Sequence, residues 1–336
     1  MEQPDVLLEV KDLKTHFFLD EGTVRAVEGV DFSLKRGQTL GIVGESGCGK
    51  TVTAYSITQL IQSPGRIVDG EVLFHRRNGG GADDVVDLAK LRPNSREMSN
   101  IRGSEIAMVF QEPMTAFSPV HTVGDQIMEV ILLHRKVSKG EARAQTIEML
   151  RRVGIPKAET RLDVFPFQLS GGMRQRAMIA MALVCRPSLL IADEPTTALD
   201  VTMQAQILDL LQQLQQELGM AVMLITHNLG VVAEVCDEVV VMYLGQVVEQ
   251  SSVDELFNEP LHPYTQALLR SIPRMGRSRD QHLDSICGMV PDPYNRPSGC
   301  PFHPRCDKMI AGRCDTEEPK LTTLPDGRAV SCWLYV

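Results

Sequence analysis

No apolar run in the 336 residues approaches the roughly 18 that a membrane-spanning helix needs, so any membrane contact has to come through a partner. Positive charge is also in short supply. With 34 Lys and Arg against 43 Asp and Glu, the formal net charge is -9, which argues against nucleic acid as a ligand. The opening Met1-Glu2-Gln3-Pro4-Asp5 carries acids and no basic stretch, so no secretion signal is expected and the chain is read as cytosolic. Internal repeats and long low-complexity tracts are missing too. What remains is an ordinary globular balance, 43% hydrophobic and 23% charged, enough for a large core. At roughly 150 residues per domain, the length suggests two domains.

The first three quarters alternate strand and helix signals. Leu7 to Val10, Val30 to Leu34 and Thr39 to Val43 read as strands, with Arg36-Gly37 as turn punctuation. A helix is expected from Gly49-Lys50 to about Ile61. Asn78 to Arg102 is polar, holds three consecutive glycines and reads mostly as loop. Thr122 to Arg152 has helical periodicity and ends at Gly154-Ile155-Pro156. Further helices are expected from Ser170 to about Cys185 and from Val201 to Leu218, the latter closed by Gly219. Leu189 to Ala192, Met220 to Thr226 and Glu238 to Tyr243 complete the strands. This alternation implies a largely parallel sheet covered by helices. After about Ser251 prolines and cysteines become frequent and periodicity fades, which marks a domain boundary.

Gly44-Glu45-Ser46-Gly47-Cys48-Gly49-Lys50-Thr51 fits GxxxxGK[ST], follows the apolar run Leu40 to Val43 and opens a helix. Glycines let the backbone N–H groups converge on phosphate oxygens, and the helix N-terminus adds a favourable dipole. Lys50 is expected on the β- and γ-phosphates of a nucleotide, and Thr51 on Mg²⁺. A ligand-free glycine turn is the plainer alternative, which the strand and helix context disfavours. Cys48 reads as a small residue tolerated at a variable position. The sharper alternative is a thiolate activated by the helix start, with alkylation blocking hydrolysis.

Leu189 to Glu194 is an apolar run ending in two acids. Asp193 is assigned to the metal and Glu194 to general base for the attacking water. Two acids after a strand are commonly a loop start or a cap, but Pro195-Thr196-Thr197-Ala198-Leu199-Asp200 and a long helix follow. His227 ends another apolar run. Alone it reads as a surface histidine, and beside the Asp193 strand it would contact the γ-phosphate.

Leu169-Ser170-Gly171-Gly172-Met173 decides between families. An LSGG-type segment ahead of a helix, about twenty residues before the Asp193-Glu194 strand end, resembles the signature of ABC ATPases. The resemblance implies that Ser170, Gly171 and Gly172 close on the γ-phosphate held by a second subunit. It further implies that Phe17 stacks on adenine, with Phe18 as rival, and that Gln111 senses Mg²⁺ and nucleotide. Asp200 matches the D-loop and His227 the switch histidine. The motifs span roughly residues 7–250. His262-Pro263-Tyr264-Thr265, FQEPMTAFSP and IADEPTTALDVT resemble the ATPase subunits of dipeptide, oligopeptide and nickel permeases, specifically their D-type subunit. The family pattern usually has Ser in place of Cys48, and Leu-Asn in place of Phe117-Ser118.

The fold this implies is α/β: a P-loop NTPase of ABC type over 1–255, with a mixed sheet and a helical subdomain at about 112–185. A small Cys-rich, Pro-rich regulatory or cluster-binding domain follows over 256–336. The implied activity is ATP hydrolysis that drives dipeptide or oligopeptide uptake. Implied partners are an F-type ATPase subunit, two permease subunits and a periplasmic or extracellular binding protein, at the cytoplasmic face of a bacterial inner membrane. Rival cargoes are nickel, glutathione and antimicrobial peptides. A soluble ABC ATPase acting on nucleic acid or the ribosome would carry coiled-coil insertions or fused cassettes, and a P-loop kinase would lack LSGG.

Cys300, Cys306, Cys314 and Cys332 form C-x5-C-x7-C-x17-C, with His303 as a spare ligand and Cys287 outside. Four thiolates suit Zn²⁺ or an iron–sulfur cluster, and free cysteines remain open on spacing alone. The paired C-x2-C knuckles of zinc ribbons are absent. The resemblance implies a [4Fe–4S] cluster, with Zn²⁺ the alternative.

Overall fold

The computed structural model describes residues 5–77, 83–197, 199–272 and 286–336. Contacts divide the chain into two compact units. One comprises Met1–Leu7, Leu34–Gln38 and Leu91–Leu224, and the other Leu8–Ser33, Thr39–Lys90 and Ile225–Val336.

In the first unit the strands run in the order Ala221–Ile225, Leu189–Asp193, Ile106–Val109, and the last two pair in parallel. Every residue of Leu189–Asp193 and Ala221–Ile225 is buried, which is why these strands read as unbroken apolar runs. The stretch of helical periodicity over Thr122 to Arg152 forms two helices, Val123–His134 and Lys139–Arg152. The break has a local cause. Arg135 is extended, and Ser138 with Glu141 forms a reciprocal capping box that starts a new helix. Pro113–Ala116, Ala158–Arg161 and Gly171–Leu183 add further helix to the same unit. Val201–Leu218 runs from an Asp200 cap to Gly219 as the sequence suggests.

The Asn78 to Arg102 stretch differs from the loop expected of it. Residues 78–82 lie outside the described residues, but Asp83–Asp87 is a strand and Arg96–Ser104 a helix. The strand pairs antiparallel with Gly65–Arg77, and the helix is capped by the Ser95 hydroxyl and buries Met98 and Ile101. Short length and scattered polar residues hide both from a periodicity reading.

The second unit carries an antiparallel sheet in the order Gly22–Lys35, Val6–Leu19, Gly65–Arg77, Asp83–Asp87. Its other strands run Thr322–Thr323, Ala329–Val330, Gln246–Ser252, Glu238–Tyr243, Thr39–Val43. Thr39–Val43 and Glu238–Tyr243 pair in parallel, and their neighbours on the far side are antiparallel. The helix after the phosphate-loop motif spans Lys50–Ile57 and stops short of Ile61, because Gln59 turns left-handed (φ 55°) and donates its side-chain amide to the Leu88 carbonyl at 2.8 Å.

One apolar core joins the early and late parts of this unit. Val43, Val239, Val241, Tyr243, Val248, Leu256, Tyr264 and Phe302 are buried together. Tyr243, Tyr264 and Phe302 form an aromatic knot with ring centroids 4.7 to 5.4 Å apart. Among the described residues no helix is long and apolar enough to cross a membrane.

Candidate functional site

In the second unit the buried strand Thr39–Val43 delivers the chain into the glycine loop. Gly44 has φ 152°, and a Cβ there would run into the Met242 carbonyl oxygen and the Cys48 sulfur, so the loop passes where only glycine fits. Gly49 (φ 102°) then caps the helix that begins at Lys50. Lys50 is buried, and its Nζ donates to the carbonyls of Gly44 (2.9 Å) and Glu45 (3.0 Å). Phosphate oxygens are better acceptors for an ammonium and can replace these contacts. Ser46 and Gly47 lie in the same loop, and Thr51 in the first turn of the helix.

Cys48 lies inside this loop. It is buried, and that burial pushes its thiol above the usual range despite the Lys50 ammonium 3.8 Å away. That direction favours the plainer reading of a small loop residue over an activated thiolate.

Phe17 sits on the antiparallel sheet opposite Gly65, half-buried, with its ring over the space a Cβ at Gly65 would take. Phe18 is 40% exposed and carries the Arg66 guanidinium 4.3 Å above its ring. His227 is exposed just beyond Ile225.

In the first unit Asp193 closes its strand and is buried. Glu194 follows in the left-handed region (φ 45°), a strained backbone for a residue with a side chain. Its carboxylate accepts from Gln111 Nε2 at 3.1 Å and from Thr197 Oγ1 at 2.9 Å. Strain held by two side-chain bonds is the mark of an oriented group. Thr197 was not among the residues the sequence singled out. Its place three residues after a strand-end acid is the signal that would have found it.

Ser170 caps the helix Gly171–Leu183 by accepting from the Met173 N–H (3.4 Å), and Ser170 and Gly171 are exposed while Gly172 is buried. Asp200 caps Val201–Leu218 by accepting from the Met203 N–H at 2.9 Å. Both therefore have structural work in this chain that is independent of any partner.

The cysteine-rich tail belongs to the second unit. Cys300, Cys306, Cys314 and Cys332 line one small cavity with His262, Phe302, His303 and Trp333, and Cys287 stands apart and exposed. Burial pushes the Cys300 thiol up to about 11, and neighbouring Cys groups add to the shift. Burial likewise raises Cys306 and Cys332. Thiols that penalise one another's ionisation in a shared cavity are a donor set that a cation would relieve. Yet among the described residues no group of three or more His, Cys, Asp or Glu side chains is placed to hold a metal ion.

A strand entering a glycine loop and helix, an acid pair closing a second strand, and an LSGG-capped helix together define an ATP-binding cassette. The family model described as ABC transporter matches residues 27–197, and the model described as oligopeptide/dipeptide transporter, C-terminal region, matches residues 248–314. The chain belongs to the ABC transporter family, as an ATP-hydrolysing subunit. It is 52% identical over 330 residues to a probable peptide ABC transporter ATP-binding protein of Sinorhizobium fredii, covering 98% of this chain and 95% of that one. It is 50% identical to an oligopeptide transport ATP-binding protein of Bacillus subtilis (98% and 97% covered). It is 48% identical to a dipeptide transport ATP-binding protein of Escherichia coli (97% and 96% covered). Among solved structures it resembles the dimeric post-hydrolysis ATP-binding cassette MJ0796 bound to ADP and Pi, with TM-score 0.64, 26% identity, and 74% of this chain and 99% of that chain covered.

Proposed function

We propose that this ATPase drives peptide uptake through a membrane permease. Similarity to peptide transport ATP-binding proteins over nearly the whole chain, tail included, carries the reading. In the proposed site Lys50 and the amides of Gly44 to Thr51 hold the triphosphate, and Phe17 stacks on the base. Thr51, Gln111 and Asp193 would hold Mg²⁺, and the bound ion would neutralise phosphate charge. Glu194, oriented by Gln111 and Thr197, takes the proton of the attacking water. His227 contacts the terminal phosphate. Ser170, Gly171 and Gly172 offer an anion site at a helix start to the nucleotide of a second cassette, and Asp200 lies in that dimer interface.

The proposed assembly pairs this chain with an F-type ATPase, two permease subunits and an external binding protein, at the cytoplasmic face of the inner membrane. The ATPase core is proposed to cover 1–255, with its helical subdomain at about 112–185, and a C-terminal domain 256–336. The tail is proposed to hold a [4Fe–4S] cluster on Cys300, Cys306, Cys314 and Cys332. Supporting this is their convergence on one cavity. Iron and sulfide analysis of anaerobically purified protein checks it, and stoichiometric zinc would reverse it.

The cargo is tested by reconstituting the full complex in liposomes with its binding protein. Di- or oligopeptides are expected to stimulate hydrolysis and enter the lumen. Stimulation by nickel or glutathione and not by peptide would replace the cargo. Co-purification with ribosomes in place of a permease would replace the transporter reading.

A further inference from the structure

We propose that Tyr264 and Arg305, both in the C-terminal part of the chain, are positioning residues for the phosphate loop. The inference rests on the reading that Gly44–Thr51 binds nucleotide phosphates.

The contacts converge on Glu45, the second residue of the loop. Its backbone N–H donates to the Tyr264 hydroxyl at 2.9 Å. Its carboxylate takes a two-pronged ion pair from Arg305, at 2.7 Å from Nη1 and 3.1 Å from Nη2. The Arg305 side chain is 4% exposed and that of Glu45 25%, so water screens this pair far less than a surface pair. Two further Arg305 donors are also engaged: Nη1 reaches the Tyr243 hydroxyl at 3.3 Å, and Nε the Cys287 carbonyl at 3.0 Å. The hydrogen bond with Glu45 is the leading cause of a raised Arg305 pKa, so the guanidinium stays charged.

The anchor behind Tyr264 is itself fixed. Tyr264 is fully buried against Tyr243 and Phe302. Its N–H donates to His262 Nδ1 at 3.0 Å. The N–H groups of Leu261 and His262 in turn donate to the buried Glu249 carboxylate, each at 2.8 Å. The His-Pro-Tyr segment thus starts a helix and aims one phenol at the loop.

Glu45 is held from three sides: N–H by Tyr264, carboxylate by Arg305, and carbonyl by Lys50. Lys50 is the contact that nucleotide phosphates compete for. Once it turns to them, Tyr264 and Arg305 still hold Glu45, together with the Cys48 N–H that also donates to its carbonyl at 3.3 Å, and so help set the direction of the next amides. An attachment that served only to hold the tail would need the ion pair but no bond to the loop backbone. A preformed array of donors binds phosphate without an ordering cost, and loosening the array weakens binding.

The test uses the full chain with Tyr264→Phe, Arg305→Lys, Glu45→Gln and the double variant Glu45→Gln/Arg305→Lys. MgATP binding is followed by calorimetry, ATPase kinetics in the assembled transporter, and melting temperature in parallel. Each single variant is expected to weaken ATP binding and raise KM about tenfold, with kcat within about twofold. The double variant is expected to be no worse than the worse of its parents, since both remove one interaction. Lysine keeps the charge of Arg305 but loses the fork, so its failure to restore affinity marks geometry. A lower melting temperature with unchanged ATP affinity would overturn the proposal, as would a fall in kcat at constant KM. Should Arg305→Lys fail to fold, Tyr264→Phe removes a single hydroxyl and decides alone. Lys50→Ala separates the two layers. If it binds ATP normally, the loop reading itself fails; if it loses ATP while Tyr264→Phe and Arg305→Lys bind as wild type, only the positioning role falls.

Discussion

The phosphate loop and the cysteine-rich tail lie in the same compact unit, but their working parts are laid out along the chain very differently. The loop places its donors within the consecutive residues Gly44 to Thr51, and glycine is forced there by a backbone that passes against Met242. The tail gathers its cavity from Cys300, Cys306, Cys314 and Cys332, and its core contacts from Tyr243, Tyr264 and Phe302. The difference teaches where each region is vulnerable. Changing the loop should alter binding and leave the fold intact, whereas emptying the tail's aromatic core should cost stability first; Tyr264 and Arg305, which reach Glu45, are the exceptions.

The loop side of the comparison is probed by Lys50→Ala. Loss of a charged donor to phosphate should weaken MgATP binding about a hundredfold with little change in melting temperature. Calorimetry beside thermal melting checks both halves, and a large stability loss would blur the contrast. On the tail side, Phe302→Ala empties a site 2% exposed beneath two tyrosines and should cost about 3 kcal/mol in denaturant unfolding. A cost near zero would mean that the aromatic knot is dispensable.

The smallest effect is the most specific. His262 is fully buried, and burial pushes its pKa down from 6.5 to about 3. The unfolded chain therefore binds a proton between those values that the folded chain refuses. This contribution is complete above pH 6.5 and is lost as pH falls, reaching about 2 kcal/mol near pH 5. Glu249, which burial pushes up, works in the opposite sense in both wild type and variant, so a comparison isolates the histidine. His262→Asn keeps a helix cap without the titration, and should lose less stability than wild type between pH 7 and 5. Equal losses would show that His262 is not the acid-sensitive group.

The same contrast explains what could be read from sequence. The loop, the Asp193-Glu194 strand end and the Ser170 cap were legible because each is contiguous and bounded by apolar strands or cap residues. Val201–Leu218 was legible from the Gly219 that closes it. Asp83–Asp87 was not, since its identity depends on a partner strand supplied by Gly65–Arg77. Thr197 and Arg305 were missed for a related reason. Their roles are defined by acids that reach them through space, Glu194 from a strained backbone and Glu45 from 260 residues away in sequence. The cysteine spacing announced a donor set without its geometry, because cavity shape depends on where Phe302 and His262 pack.

Glu194 carries the hydrolytic claim, and Glu194→Gln in the assembled transporter tests it most directly. General-base assistance is worth about 10² to 10⁴ in rate. The variant is expected to keep binding MgATP and to retain it unhydrolysed after rapid filtration. Release of ADP and phosphate at the wild-type rate would contradict it.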